Sequence, residues 1–240
     1  MSWFASWFDS SYYHILYKNR DKKEAELFIE NLIAKLQIKK GSKLIDIACG
    51  KGRHATYFNS LGLDVTGVDL SPNSIATATK NENATLQFTV HDMREVYKKN
   101  NFDIATNLFT SFGYFEKEED EQKAINAMAK NLKSGGFLII DFMNVKKVIS
   151  NLLFSEQKTI DGITFNITRE VKDVHIIKNI AITDGTKKQQ FQEKVKTLTL
   201  ADYSKLITNA GLKIIDIFGS YHLEGFDART SDRLILICKK

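Results

Sequence analysis

The chain has 240 residues, 43% apolar and 26% charged, with a formal net charge of +5. That length suits one α/β domain with an insertion, or at most two small domains, and the apolar share excludes a disordered or fibrous chain. Basic and acidic residues are interspersed throughout, so the charge calls for no nucleic-acid partner, and two lone cysteines, Cys49 and Cys238, give neither a disulfide framework nor a metal site.

The N-terminal stretch has no basic leader or continuous apolar core, and no later run reaches the length of a membrane span. The expectation is a cytoplasmic protein that touches no membrane, as a monomer or homodimer. Trp3, Phe4, Trp7, Phe8, Tyr12, Tyr13, Leu16 and Tyr17 recur about every four residues, which predicts one helix with an aromatic stripe. The stripe docks on the domain, and Tyr12, Tyr13, His14 and Tyr17, followed by Arg20, form a partial lid that offers hydroxyls and a cation to a bound carboxylate. Asp21 and Glu24 have capping-box spacing, and Ala25, Phe28, Ile29, Leu32 and Leu36 then keep one apolar helix face as far as Gly41. Residues 1–40 thus form an N-terminal helical segment.

Leu44, Ile45 and Ile47 begin a strand that runs into Gly50-Lys51-Gly52-Arg53-His54-Ala55, after which a helical pattern starts. The turn fits G-x-G-x-x-G/A, whose free amides suit a pyrophosphate. Asp46, at the carboxyl end of the strand, distinguishes two ligand classes. A carboxylate there repels a pyrophosphate and attracts a cation, and S-adenosylmethionine carries a sulfonium and an ammonium but no phosphate. The plainer reading is that Asp46 caps the turn.

Residues 64–70 are the next strand, and Asp69 stands 17 residues beyond Gly52, near where an acid accepts from both hydroxyls of an adenosine ribose. Ser71 and Pro72 start a helix that continues to about Lys80. Residues 86–90 form a third strand ending at Asp92, which can accept from an adenine amino group, and Met93, a soft contact for its ring. Residues 102–109 form a fourth strand, and Phe112, Tyr114 and Phe115 in the loop beyond it wall a substrate pocket or else belong to the core. A helix over 116–132 is ended by Ser134-Gly135-Gly136, and residues 137–142 are a fifth strand consistent with burial on both faces. Alternation over 158–197, with a turn at Asp184-Gly185, predicts an inserted antiparallel meander. Thr199 and Asp202 then start a helix that Gly211 ends, and two strands, 212–218 and 234–238, flank a loop carrying His222.

In order, these residues resemble the class I S-adenosylmethionine-dependent methyltransferases. Asp46-Ile47-Ala48-Cys49-Gly50-Lys51-Gly52 is similar to the family's D-x-A/G-x-G-x-G loop, Asp69 to its ribose acid, Asp92-Met93 to its adenine site and Asn107-Leu108-Phe109 to its motif after the fourth strand. Leu132-Lys133-Ser134-Gly135-Gly136 is similar to its L-K-P-G-G turn, with serine for proline. The resemblance implies an α/β, Rossmann-like, seven-stranded and mostly parallel sheet with helices on both faces and the last strand antiparallel, plus the small antiparallel β insertion. The Rossmann-like domain then spans 41–157 and 198–240, interrupted by a β subdomain at 158–197. It also implies S-adenosylmethionine as cofactor and S-adenosylhomocysteine as product. Cofactor contacts are expected from Asp46, Ala48, Gly50, Gly52, Arg53, Asp69, Leu70, Asp92, Met93, Asn107, Tyr13 and Tyr17, and acceptor contacts from Phe112, Tyr114 and His222.

In-line displacement from a sulfonium needs no acid, and no general base is assigned; His222, Glu224, Tyr114 and His14 are the candidates. The aromatic N-terminal segment and the meander are similar to those of small-molecule methyltransferases, including glycine N-methyltransferase-like enzymes. A DNA acceptor is disfavoured, because the position after the fourth strand reads Asn107-Leu108-Phe109-Thr110 where amino-group DNA methyltransferases carry D/N-P-P-Y/F, and the single proline is followed by Asn73 rather than cysteine. The expected partner is a small-molecule acceptor; the alternatives are a protein that binds the cofactor without transfer, and a tRNA or protein methyltransferase.

Overall fold

A computed structural model describes residues 3–18 and 22–240. Two short helices, α1 (Trp3–Phe8) and α2 (Ser11–Leu16), stand where the spacing predicts one. The break comes at Ser10, which adopts extended backbone and whose Oγ accepts from the Tyr12 amide at 3.1 Å. Arg20 and Asp21, named above as lid cation and helix cap, lie outside the described residues, as do the side chains of Trp3 and Phe4.

Helix α3 (Lys22–Leu36) is followed by β1 (Lys43–Ile47), α4 (Arg53–Ser60), β2 (Asp64–Asp69) and α5 (Pro72–Ala78). Ser71 starts α5 as expected, its Oγ accepting from Ser74 N at 3.0 Å with Pro72 in the first turn. Strands β3 (Leu86–Val90) and β4 (Phe102–Asn107) precede α6 (Glu118–Asn131) and β5 (Leu132–Met143). The Ser134-Gly135-Gly136 segment does not end α6: Leu132 is already extended and pairs with Phe102, and the glycines form an irregularity inside β5. A short helix α7 (Val145–Ser150), absent from the sequence expectations, leads into β6 (Ser155–Ile160), β7 (Ile163–Lys172), β8 (His175–Asp184) and β9 (Lys187–Lys196). The chain closes with α8 (Leu200–Asn209), opened by a reciprocal Thr199–Asp202 capping box, then β10 (Lys213–Phe218) and β11 (Arg233–Lys239).

The main sheet has the order β10-β11-β5-β4-β1-β2-β3, with β11 antiparallel to both neighbours and every other pair parallel. Its faces are covered separately: Ile125, Met128, Tyr203 and Ile207 of α6 and α8 pack on one, and Phe28, Leu32, Phe58 and Ile75 of α3, α4 and α5 on the other. Because β1 lies between β2 and β4, the connections leaving these strands diverge at its carboxyl end, which opens the crevice where sheets of this kind bind ligands. Strands β6 to β9 form a separate antiparallel sheet in sequence order, with a two-residue turn after Asp184 in which Gly185 has φ +58°. Trp7 and Leu16 pack with Phe165, Ile167 and Ile180 of this sheet, so α1 and α2 dock on the insertion. The buried Lys196 of β9 pairs with the equally buried Glu121 of α6 at 2.7 Å, tying the insertion to the main domain. Among the described residues no helix is long and apolar enough to cross a membrane.

The crevice depends on close packing beneath it. A Cβ on Gly67 of β2 would fall 2.5 Å from Phe88 Cδ1 and 2.9 Å from Cys49 Sγ. Gly67→Ala is therefore expected to lower stability by about 1–3 kcal/mol through overpacking. Urea unfolding measures this, and an unchanged midpoint would mean that the Phe88 ring moves aside freely.

Candidate active site

The carboxyl ends of β1 and β2 and the two N-terminal helices enclose a cavity of 620 Å³. Its floor is the turn after β1, in which Ala48, Gly50 and Gly52 all have positive φ (60°, 55° and 79°). At Gly50 a Cβ would meet nothing within 4 Å, so this part of the turn faces open space; at Gly52 it would lie 2.6 Å from the Phe88 ring. Glycine is thus favoured at 50 by the backbone conformation alone and at 52 by packing as well.

Asp69 closes the turn from the side. Its Oδ2 accepts from Gly50 N and its Oδ1 from Ser71 N, each at 2.8 Å. Burial raises its carboxyl above the ordinary range against the pull of these two amides. The Ser71 hydroxyl in turn donates to Asp9 at 2.5 Å, and Asp9 also receives the Asn73 amide at 3.1 Å. The segment between α1 and α2 is thereby fastened to the start of α5.

Ala48, Gly50, Arg53, Asp69, Leu70, Asp92, Met93, Tyr13, Tyr17, Phe112 and Tyr114, all named from the sequence, line this cavity. Several do so in ways the sequence does not anticipate. Both oxygens of Asp92 already accept from Arg94, at 3.0 Å from Nε and 2.5 Å from Nη2; although burial alone would raise it, these bonds hold the carboxyl below its ordinary value. Tyr17 OH donates to Glu193 at 2.7 Å, and Tyr12 OH to Asp184 at 3.0 Å, both on the inserted sheet. Tyr114 OH donates to the Thr110 carbonyl at 2.5 Å, while Phe112 is almost fully buried against Phe115 and Tyr203.

Four of the expected cofactor and acceptor contacts do not line the cavity. Asp46 sits behind the turn, 1% exposed, with Oδ1 accepting from the Thr106 hydroxyl at 2.8 Å. Its Oδ2 has no hydrogen-bond partner among the described residues. Burial drives its carboxyl up to about 7, Thr106 and the Ala55 amide pull down, and the Asp69 charge adds to the rise. Gly52 packs on Phe88 as above. Asn107 is fully buried and straps β4 to β1, donating to the Ile47 carbonyl at 3.0 Å. His222 departs furthest from expectation: it is exposed on the β10–β11 loop and lines neither this cavity nor its neighbour. The preceding residue, Tyr221, is the one turned inward, stacking on Phe109 at 5.3 Å.

A second cavity, of 730 Å³, lies between the inserted sheet, α7 and the ends of β5 and β11. Phe109, Thr110, Tyr114 and Glu193 line both cavities and form the boundary between them. The boundary is set from behind by Asp141, which is fully buried. Asp141 Oδ2 accepts from Phe109 N at 2.8 Å and Tyr221 OH at 3.1 Å, and Oδ1 from Arg233 Nε at 2.7 Å. Neither Asp141 nor Glu193 is marked by the sequence motifs. Asp141 offers one signal, a lone carboxylate in an apolar strand.

Residues 44–136 match the family model described as a methyltransferase domain. The chain is 26% identical over 183 residues to the dTDP-3-amino-3,4,6-trideoxy-alpha-D-glucopyranose N,N-dimethyltransferase of Streptomyces venezuelae, covering 72% of this chain and 76% of that protein. An S-adenosylmethionine-dependent methyltransferase from Clostridium acetobutylicum has a similar structure, with a TM-score of 0.81 at 20% identity over 95% of each chain. The sugar N-methyltransferase KedS8 from Streptoalloteichus sp. matches with a TM-score of 0.70 at 21% identity, over 94% of this chain and 92% of that one.

The raised carboxyl of Asp46 has a consequence for stability. Between the unfolded value of about 3.9 and the folded value near 7, the folded protein keeps a proton that the unfolded chain has lost. The group's favourable contribution is therefore complete below the unfolded value and is lost as pH rises towards the folded one. Relative to the native protein, Asp46→Asn should gain stability from pH 4 to 7, by on the order of 2–4 kcal/mol, and show a constant difference above pH 8. Urea unfolding of both proteins across this range measures it; a pH-independent difference would mean that Asp46 is ionised throughout.

Proposed function

The chain belongs to the class I S-adenosylmethionine-dependent methyltransferases, and from that premise we propose that the first cavity holds the donor and the second a small-molecule acceptor. The shared wall of Phe109, Thr110, Tyr114 and Glu193 carries this reading, because a molecule in either cavity meets the other there. The curated relative from Streptomyces venezuelae acts, by its name, on a small amino sugar, which favours an acceptor of that size.

The residues around the first cavity fit the donor. Gly50 leaves open space on the turn, and behind the turn, outside the cavity lining, the Asp46 carboxyl carries an oxygen with no hydrogen-bond partner among the described residues. When bound, S-adenosylmethionine supplies a methyl group on a cationic sulfur. Asp69 has lone pairs left beyond its two amides and would accept from the ribose hydroxyls, while Met93 and Leu70 provide apolar contact for the base. Asp92, fixed by Arg94, has accepting capacity left for an amino group at that end. Tyr13, Tyr17 and Phe8 cover the cavity and exclude water, so attack is directed to the methyl by position rather than by acid or base.

Isothermal titration calorimetry should show S-adenosylmethionine binding that Asp69→Ala weakens by at least about tenfold, since a charge-assisted pair of hydrogen bonds is lost. Unchanged affinity would remove Asp69 from the donor site. Because a bound cation favours the ionised form of Asp46, affinity should also rise with pH by up to about tenfold per unit below pH 7 and level off above it. A flat profile would separate Asp46 from donor recognition. Release of S-adenosylhomocysteine in the presence of a small-metabolite library tests the acceptor class; turnover confined to tRNA or protein would overturn it.

A further inference from the structure

Among the described residues, Glu193 is the only charged side chain that lines both cavities. The register of the inserted sheet puts it opposite Lys178, whose Nζ is 3.5 Å from Oε2. Oε1 is fully used, accepting from Trp7 Nε1 and from Tyr17 OH, each at 2.7 Å. Among the described residues, Oε2 receives the longer 3.1 Å branch from Tyr17 and, at 3.5 Å, the Lys178 ammonium. One oxygen is therefore clamped by the N-terminal helices while the other is held by longer contacts that a stronger donor at the junction can replace.

A clamp alone needs no carboxylate in a wall that two cavities share. Its charge matters for what crosses that wall. Methyl transfer moves one positive charge from the donor's sulfur to the acceptor atom, and a fixed carboxylate on the acceptor side, shielded from water, stabilises the cation that forms. A hydroxyl acceptor makes a different demand, for a base that takes its proton, and is the competing class in the test below.

Resting on the assignment of donor and acceptor cavities above, we propose that Glu193 is a catalytic residue and that the acceptor is a primary or secondary amine reacting as its free base. The nitrogen lone pair forms the new C–N bond as the C–S bond breaks, its electrons staying on sulfur as a neutral thioether. The nitrogen becomes an ammonium, and its N–H donates to Glu193 Oε2. Lys178 offsets part of the carboxylate charge, so the ammonium that forms is held loosely enough to leave.

The indole Nε1–H of Trp7, bonded to Glu193, reports on this site by ¹⁵N NMR, its resonance assigned by its loss in Trp7→Phe. With the protein loaded with S-adenosylhomocysteine, pyrrolidinium should shift that resonance saturably. Tetrahydrofuran, of the same shape without charge or N–H, should not, and Glu193→Gln should abolish the response. With labelled donor, methyl should enter amines and not their hydroxy counterparts, and Glu193→Gln should lower kcat about 100-fold at saturating donor. Failure of S-adenosylhomocysteine to bind would overturn the donor-cavity assignment and this proposal with it. If it binds but pyrrolidinium leaves Trp7 unmoved, acts equally on Glu193→Gln, or hydroxy compounds are methylated, the amine assignment alone falls.

Discussion

The first cavity depends on the carboxylate of Asp69. By accepting from the Gly50 and Ser71 amides at once, it joins the turn after β1 to the turn after β2, and through the Ser71 hydroxyl it reaches Asp9 between the two N-terminal helices. Three segments distant in sequence are thus brought to one place by hydrogen bonds whose acceptors are charged, which are stronger than neutral ones. The helices are anchored at their other side on the insertion, through Trp7 and Tyr17 to Glu193 and through Tyr12 to Asp184. They bridge the main domain and the insertion while covering the cavity.

Charge complementarity is more conditional than the position of Asp46 in the sequence suggests. At the end of a strand the residue reads as a permanent negative charge, but burial leaves it divided between two protonation states near neutrality. On the proposed reading, a cation bound nearby would offset the desolvation that raises the carboxyl and draw it into its ionised form.

Local rules made much of the fold legible. The strands of the parallel sheet, the Ser71–Pro72 and Thr199–Asp202 helix starts and the Gly185 turn follow from patterns within a few residues. Ala48, Gly50 and Asp69 were reachable because a tight turn and a carboxylate at a strand end have recognisable spacing. What was not legible depends on contacts between distant segments. Whether Tyr221 or His222 turns inward is decided by the Asp141–Arg233 pair beneath the loop, not by either residue's type. Glu193 is one charge among many in a polar strand until pairing with β8 and docking of α1 and α2 bring Lys178, Trp7 and Tyr17 to it. The break between α1 and α2 was hidden because the aromatic spacing continues through it, and the glycines of β5 read as a helix stop because a glycine pair has the same composition in either setting.

Phe109 and Thr110, on the wall between the cavities, both have backbone in the left-handed region, at φ 58° and 60°, where side chains with a Cβ are disfavoured by roughly 1–2 kcal/mol each. The Phe109 amide is satisfied by the Asp141 carboxylate and the Thr110 amide by the Asp141 carbonyl at 2.9 Å. A residue in the middle of the buried sheet therefore imposes the shape of a surface loop that would not adopt it unaided. The partition is a property of the folded scaffold, and on the proposed reading the entropy of aligning it is spent in folding rather than in each turnover.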